Sequence, residues 1–233
     1  MVFVHRIESF EDDKGNRIIF EGEPIVDNIS VLFRGRGNTL RIARNARIKK
    51  LSVRFDQDNG TLNIGGNDGK VAAFQAIIRI GIDATVTIGR NVSTTNAMQI
   101  SAVEGSEVSI GDDVMIAGSV KVRGDDGHPI FDVRTNRRIN FAKNIVVGDH
   151  VWLGIESILL GGAEIGSGSV VGARSLVTKK FPNNVVVAGS PAQVIRRDIA
   201  WERPHLSLTN PPYKKTGDDV EKSEDYWNLT EGI

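Results

Sequence analysis

The chain has no cysteine, only four histidines, and aromatic residues at just 6% of its 233 positions. The missing thiol excludes disulfides, thiolate metal ligation and a cysteine acyl-enzyme. Formal charge sums to zero, with 29 basic against 29 acidic residues, so the chain as a whole is not marked for nucleic acid or an anionic membrane. No run approaches the roughly 18 apolar residues of a membrane-spanning helix. The start, Met1-Val-Phe-Val-His-Arg-Ile-Glu8, lacks the apolar centre of a signal peptide, so a soluble cytoplasmic protein is expected.

What stands in place of these features is a period. Val147, Leu153, Leu159, Ile165, Val171 and Val177 recur six apart without a slip. A helical repeat would scatter them around all sides, and a strand's period of two would show more apolar positions between them. Period six suits a chain that turns a corner every six residues, each face sending one aliphatic inward. Glycine often follows the aliphatic, at Gly148, Gly154, Gly166 and Gly172, and allows a tight corner. Three units close a triangular coil of about 18 residues, and stacked coils pair as parallel strands about 4.8 Å apart. The phase is fainter upstream. Ile64 and Ile82 are 18 apart with Ile88 six further on, Ile110, Ile116 and Val122 form a three-face set, and Ile42 and Ile48 mark a beginning. A β-sandwich is the competing architecture, but its loops vary in length and would not hold this phase.

Five stretches carry a resemblance: Ile110-Gly-Asp-Asp-Val-Met115, Gly127-His-Pro-Ile130, Val147-Gly-Asp-His-Val-Trp-Leu-Gly154, Val171-Gly-Ala-Arg-Ser-Leu-Val-Thr-Lys179 and Val187-Ala-Gly-Ser-Pro-Ala192. Over about residues 82–197 the chain resembles the hexapeptide-repeat acyltransferases, and within them the sugar and capsular-polysaccharide O-acetyltransferases. The resemblance implies an all-β fold, a left-handed parallel β-helix forming a triangular prism, against the usual right-handed crossover. It also implies acetyl-CoA (acetyl-coenzyme A) as donor, a sugar or polysaccharide hydroxyl as acceptor, no metal, and a homotrimer with its sites between prisms. The sequence itself shows no symmetry.

Residues 1–30, with a turn at Asp13-Lys-Gly-Asn16, are expected to cap the first coil, because an open end exposes strand edges. Residues 31–192 are assigned to the β-helix, interrupted at 123–143 by a segment out of phase, where function tends to sit. Residues 193–233 are assigned a short helix, over 194–200, and a polar tail that is extended, partly disordered or draped on a neighbour. Between Asn28 and Phe55 there is no acidic residue but eight basic ones: Arg34, Arg36, Arg41, Arg44, Arg47, Lys49, Lys50 and Arg54. A solvated face is the plain reading; an electrostatic track for an acidic, sialic acid-containing polymer is the sharper one.

Moving an acetyl group to a hydroxyl takes a base, a donor held in line and a partner for the developing oxyanion. With neither cysteine nor a Gly-x-Ser-x-Gly elbow, direct transfer in a ternary complex is simpler than an acyl-enzyme. Histidine suits the base role at neutral pH. His128 lies in the out-of-phase segment, and its flanks and 24-residue distance to Trp152 match the family's catalytic histidine. Asp125, Asp126 and Asp132 either orient its ring or form turns. His150, at a hexapeptide corner, is expected to be exposed, and His5 and His205 are given no role. Trp152 follows a corner at a position the prism interior cannot hold, so it should project outward. The resemblance implies a place for it beside the loop histidine across a subunit interface, with simple interface packing as the alternative.

The resemblance further implies coenzyme A contacts at Ile155, Ala173, Thr178, Lys179 and Arg196, the two cations addressing phosphates. Ile155 departs from the family's common serine and leaves a backbone contact; Gln193 stands where some relatives carry arginine. Three other functions share the fold. N-acetylation of an amino sugar uses the same groups, a carbonic anhydrase needs three zinc-binding histidines, and a scaffold needs none of them.

Overall fold

The computed structural model describes residues 1–5 and 8–232. The chain winds into a left-handed β-solenoid of about seven turns, triangular in section. Among the described residues, two of its sheets hold nine strands and the third holds six. The first sheet runs from Val2–Val4 to Leu176–Val177, the second from Phe10–Glu11 to Lys180–Phe181, and the third from Ser93–Thr94 to Ala192–Arg196. The six phased aliphatics visit the sheets in rotation. Val147 and Ile165 pair in the second, Leu153 and Val171 in the third, Leu159 and Val177 in the first. All six are at most 1% exposed. Each such burial contributes about 1.5–3 kcal/mol, which is why the phase is kept.

Upstream coils are longer. Asn16 and Asn38, on one corner of successive coils, are 22 residues apart, whereas Asp149 and Ser167 are 18 apart. The added residues lengthen the first-sheet strands, Arg47–Phe55 and Phe74–Ile80 against Leu176–Val177. The 18-residue spacing of Ile64 and Ile82 is therefore a coincidence. Ile64 stacks on Ile88, and Ile82 sits at a corner, 44% exposed. Ile110, Ile116 and Val122 do occupy three faces, in register with Val147, Leu153 and Leu159 of the next coil.

Both ends are closed. Val2–Val4 pairs antiparallel with Ile29–Phe33, and Phe10–Glu11 pairs antiparallel with Arg17–Phe20. Asp12 holds the intervening turn by accepting from the Lys14 and Asn16 N–H groups. Phe10 stacks on Phe33 and Phe33 on Phe55, with ring centroids 5.8 and 5.1 Å apart, filling the wide end of the prism. Arg17–Phe20 already runs parallel to Thr39–Ile42, so the ladder begins there rather than at residue 31. At the other end the helix expected over 194–200 does not form. The β-branched Val194 and Ile195 extend a strand, Ala192–Arg196, that turns back antiparallel on Val186–Gly189 and covers the edge. No helix among the described residues is long and apolar enough to cross a membrane.

One corner joins the second sheet to the third on every downstream coil, and its residues stack. Asn91, Asp113, His150, Gly168 and Asn184 all have left-handed φ, at 56°, 58°, 51°, 71° and 52°. Parts of the tail, around Ile199 to Arg203 and around Tyr226, lie along this corner of their own prism. Asn184 Nδ2 donates to the Ile199 and Tyr226 carbonyls, and Arg203 Nη2 donates to the Asn91 and Asp113 carbonyls.

Candidate active site

The chain leaves the ladder after Lys121–Arg123 and rejoins it at Ile145–Val147. The base of this excursion is pinched where Gly124 N–H donates to the Ser101 carbonyl and Lys143 N–H to that of Gly124. Its tip is a two-stranded hairpin, Phe131–Asp132 with Arg137–Arg138. Asp132 is the turn-former there: its Oδ1 accepts from the Arg134 and Thr135 N–H groups and the Thr135 hydroxyl. Those bonds, the Thr135 backbone one foremost, hold its carboxyl below the usual range. Arg138 anchors the hairpin to the prism by donating to Glu104 at 2.6 Å.

His128 stands exposed between pinch and hairpin. Its backbone is held by Asn140, whose Nδ2 donates to the His128 carbonyl and to Asp126 Oδ2, each at 2.9 Å, while Asn140 Oδ1 accepts from Ile130 N–H at 2.7 Å. Asp125 is buried, with Oδ2 taking the Ser101 hydroxyl. None of the three acids reaches the His128 ring, so in this chain they brace the loop rather than orient the imidazole. Asn140 was not singled out from sequence; its only signal is a polar residue in an out-of-phase segment.

Beneath the loop lies a cleft of about 280 Å³, lined by Asp125, Asp126, Asn140, Lys143, Leu160 and Thr178. Thr178 is thus brought to the foot of the His128 loop. Ile155 and Ala173 meet on another edge, at successive coils, where Arg174 N–H donates to the Ile155 carbonyl. Gly154 must be glycine for this stacking, since a Cβ there would stand 2.6 Å from the Val171 carbonyl oxygen. Lys179 Nζ donates to Gln193 Oε1 at 2.9 Å and lies over the Phe181 ring. Arg196 is exposed on the final strand. These five residues therefore spread over two edges and the closing strand.

Trp152 projects outward from the third sheet, paired with Met115 and Val170, and is 39% exposed. The His128 loop leaves from the opposite edge, between first and second sheets. One prism therefore cannot bring the two together.

His150 is not exposed. It is 1% accessible, stacked between the rings of Trp201 (centroids 4.2 Å apart, 15°) and Tyr226 (4.6 Å, 7°). Its Nδ1 donates to Asp113 Oδ2 at 2.6 Å and its Nε2 lies 2.9 Å from the Trp201 carbonyl. Trp201 Nε1 in turn donates to the His150 carbonyl at 2.9 Å. Arg203 Nε donates to the second Asp113 oxygen. Burial would push the Asp113 carboxyl up, but the His150 bond and the Arg203 charge outweigh it and hold it below its ordinary value. The expectation of an exposed His150 fails because the tail covers it. Among the described residues no group of three or more histidine or acidic side chains is placed to hold a metal.

The family model Bacterial transferase hexapeptide (six repeats) matches residues 144–179. A polysialic acid O-acetyltransferase of Neisseria meningitidis is 34% identical over 184 residues, which is 76% of this chain and 82% of that protein. The chain belongs to the hexapeptide-repeat acyltransferases. A second relative, the polysialic acid O-acetyltransferase of Escherichia coli O1:K1 / APEC, is 36% identical over 118 residues. That match takes in 51% of this chain but only 38% of the relative's length. The crystal structure of the polySia specific acetyltransferase NeuO is similar with a TM-score of 0.74 and 33% identity, covering 84% of this chain and 92% of that one. The hexapeptide profile falls on the short, 18-residue coils, where the acyltransferase repeat is least decorated.

Proposed function

We propose that the protein transfers the acetyl group of acetyl-CoA to a hydroxyl of an acidic, sialic acid-containing surface or capsular polysaccharide, working in the cytoplasm as a homotrimer. The observation that carries this reading is His128: an exposed imidazole on a loop whose backbone is clamped by Asn140 and whose base lines a cleft. In the reaction a His128 ring nitrogen takes the acceptor hydroxyl proton as that oxygen attacks the thioester carbonyl. The new C–O bond forms, the C–S bond breaks, and the proton passes from the imidazolium to the departing coenzyme A sulfur. Backbone N–H groups at the coil corners stabilise the oxyanion. No covalent acyl-enzyme is needed.

The opposed positions of His128 and Trp152 support the trimer, because a second prism packed on the third sheet would bring its own loop to Trp152. Thr178, Ile155 and Ala173 then offer coenzyme A backbone and hydroxyl contacts, while Lys179 and Arg196 offer its phosphates cationic partners. Charge supports the acidic acceptor: Arg34, Arg54 and Arg79 share a single acid, Asp56, and so leave a surplus of positive charge. Arg54, Arg79 and Arg123 project from one side of the first sheet, Arg54 paired with Arg79 and Ser101 lying between Arg79 and Arg123. They line a groove of about 310 Å³ that ends where the His128 loop begins.

The test is incubation with acetyl-CoA and either oligosialic acid or a neutral polymer such as dextran, followed by mass spectrometry. Acetyl additions on oligosialic acid alone support the reading. Additions on dextran alone overturn the acidic acceptor, and none on any hydroxyl polymer, with coenzyme A unbound, would return the protein to a scaffold role.

A further inference from the structure

We propose that His150 is a positioning residue for Trp152, acting through Trp201, so that the C-terminal tail is a working part of the acceptor site. The inference rests on the reading of Trp152 as a site residue.

The first observation is the company His150 keeps. Its corner position recurs on each downstream coil with left-handed φ, and the other occupants are Asn91, Asp113, Gly168 and Asn184. Those are the residue types that tolerate this backbone, through a short local side chain or no Cβ. Histidine also tolerates this backbone, but it is the one member of the column that carries a ring.

The second observation is what its ring does. It lies between Trp201 and Tyr226, with one nitrogen on Asp113 and the other on the Trp201 carbonyl, while the Trp201 indole N–H returns a bond to the His150 carbonyl. This two-way pairing fixes both position and tilt of the Trp201 indole. The third observation is where that indole stands: its centroid is 6.0 Å from that of Trp152, the rings inclined at 47°. A tilted aromatic pair at this distance has a preferred geometry. Trp152 is otherwise flanked on its sheet by Met115 and Val170, a flexible and a small neighbour that do not set an indole's orientation. Trp201 is thus the rigid wall against which Trp152 rests.

The tail is tied down on both sides of this contact. Glu202 accepts from the Ser223 N–H, the Ser223 hydroxyl and the Trp227 indole N–H, which holds the returning strand of tail and Tyr226 with it. Asn184 and Thr230 close the far end through the Asn184 carbonyl. Loss of the His150 ring removes the centre of this clasp while leaving the prism's own ladder intact.

The experiment uses the full chain with His150→Asn, which keeps a residue suited to left-handed φ and removes the ring, and Trp201→Phe, which keeps a ring and removes the indole bond. Each is labelled with 5-fluorotryptophan; the three tryptophans give three fluorine resonances, assigned with single Trp→Phe variants. The Trp152 resonance is expected to shift and broaden in His150→Asn and to shift less in Trp201→Phe. With oligosialic acid as acceptor, kcat/KM for the acceptor is expected to fall at least about tenfold in His150→Asn, with KM for acetyl-CoA unchanged and Trp201→Phe intermediate. A Trp152 resonance identical to wild type in a folded His150→Asn protein would overturn the inference. So would a moved resonance with wild-type acceptor kinetics, provided Trp152→Ala abolishes turnover. If Trp152→Ala itself keeps wild-type turnover, the fault lies instead with the reading of Trp152, and the positioning role falls with it.

Discussion

Arg203 Nε donates to Asp113 Oδ1 at 2.6 Å across 90 residues of sequence, while His150 Nδ1 holds the other oxygen of the same carboxylate at 2.6 Å. One acid on a coil corner thereby receives a cation from the tail and a ring from the next coil. Asp113 has its pKa lowered from 3.8, so it favours the docked, folded state above that value, and the contribution fades as pH falls through its lower folded value. Acid should therefore loosen the tail. The difference in melting temperature between wild type and Asp113→Asn is expected to be full at pH 7 and to narrow from about pH 4 downward; a difference constant with pH would contradict this.

The register of the prism predicts contrasting costs at two aliphatics. Leu153 is fully buried, and Leu153→Ala should cost about 2–5 kcal/mol for lost transfer and cavity. Ile82 lies exposed at a corner, and Ile82→Ala should stay within about 0.5 kcal/mol. Denaturant titration of both variants checks the pair. Equal costs would mean that the first coils keep the 18-residue period.

The Asn140 side chain makes four bonds inside the exposed loop, so its loss should slacken His128 without unfolding the prism. Asn140→Ala is expected to lower kcat by about tenfold or more, as misplacement of a base does. Its melting temperature should stay close to wild type. Steady-state kinetics and calorimetry on one preparation separate the two effects.

Lys179 tests the coenzyme assignment. Removing a charge-assisted contact to phosphate is worth about 1.5–3 kcal/mol. Lys179→Ala should therefore raise KM for acetyl-CoA by roughly tenfold or more while kcat stays unchanged. An unaltered KM would leave the residue to its observed partner, Gln193.

The downstream half of the fold was legible because its coils are minimal: with six residues per face, each buried aliphatic must recur on schedule. Upstream, strands such as Arg47–Phe55 add residues, Leu51 and Val53 among those buried, that widen the prism and break the six-residue count, so Ile64 pairs with Ile88 and not with Ile82. The outward direction of Trp152 and the expulsion of the His128 loop followed from the same phase. The surroundings of His150 did not, because they come from Trp201, 51 residues away, and from Tyr226 further on. Periodicity governs neighbours within a coil and between adjacent coils; it has no hold on a tail whose contacts are side chains seated on one corner. A histidine among asparagine, aspartate and glycine at that corner was the one available sign.

The most direct measurement is free thiol released from acetyl-CoA in the presence of oligosialic acid, by wild type and by His128→Ala. His128 is exposed and its side chain supports no buried structure, so the variant should fold normally. Acceptor-dependent thiol release that drops by about 10²–10⁴ in the variant is the expected result for removal of a general base. Release at the wild-type rate by a folded His128→Ala protein would contradict base catalysis by His128, and with it the site proposed around the loop.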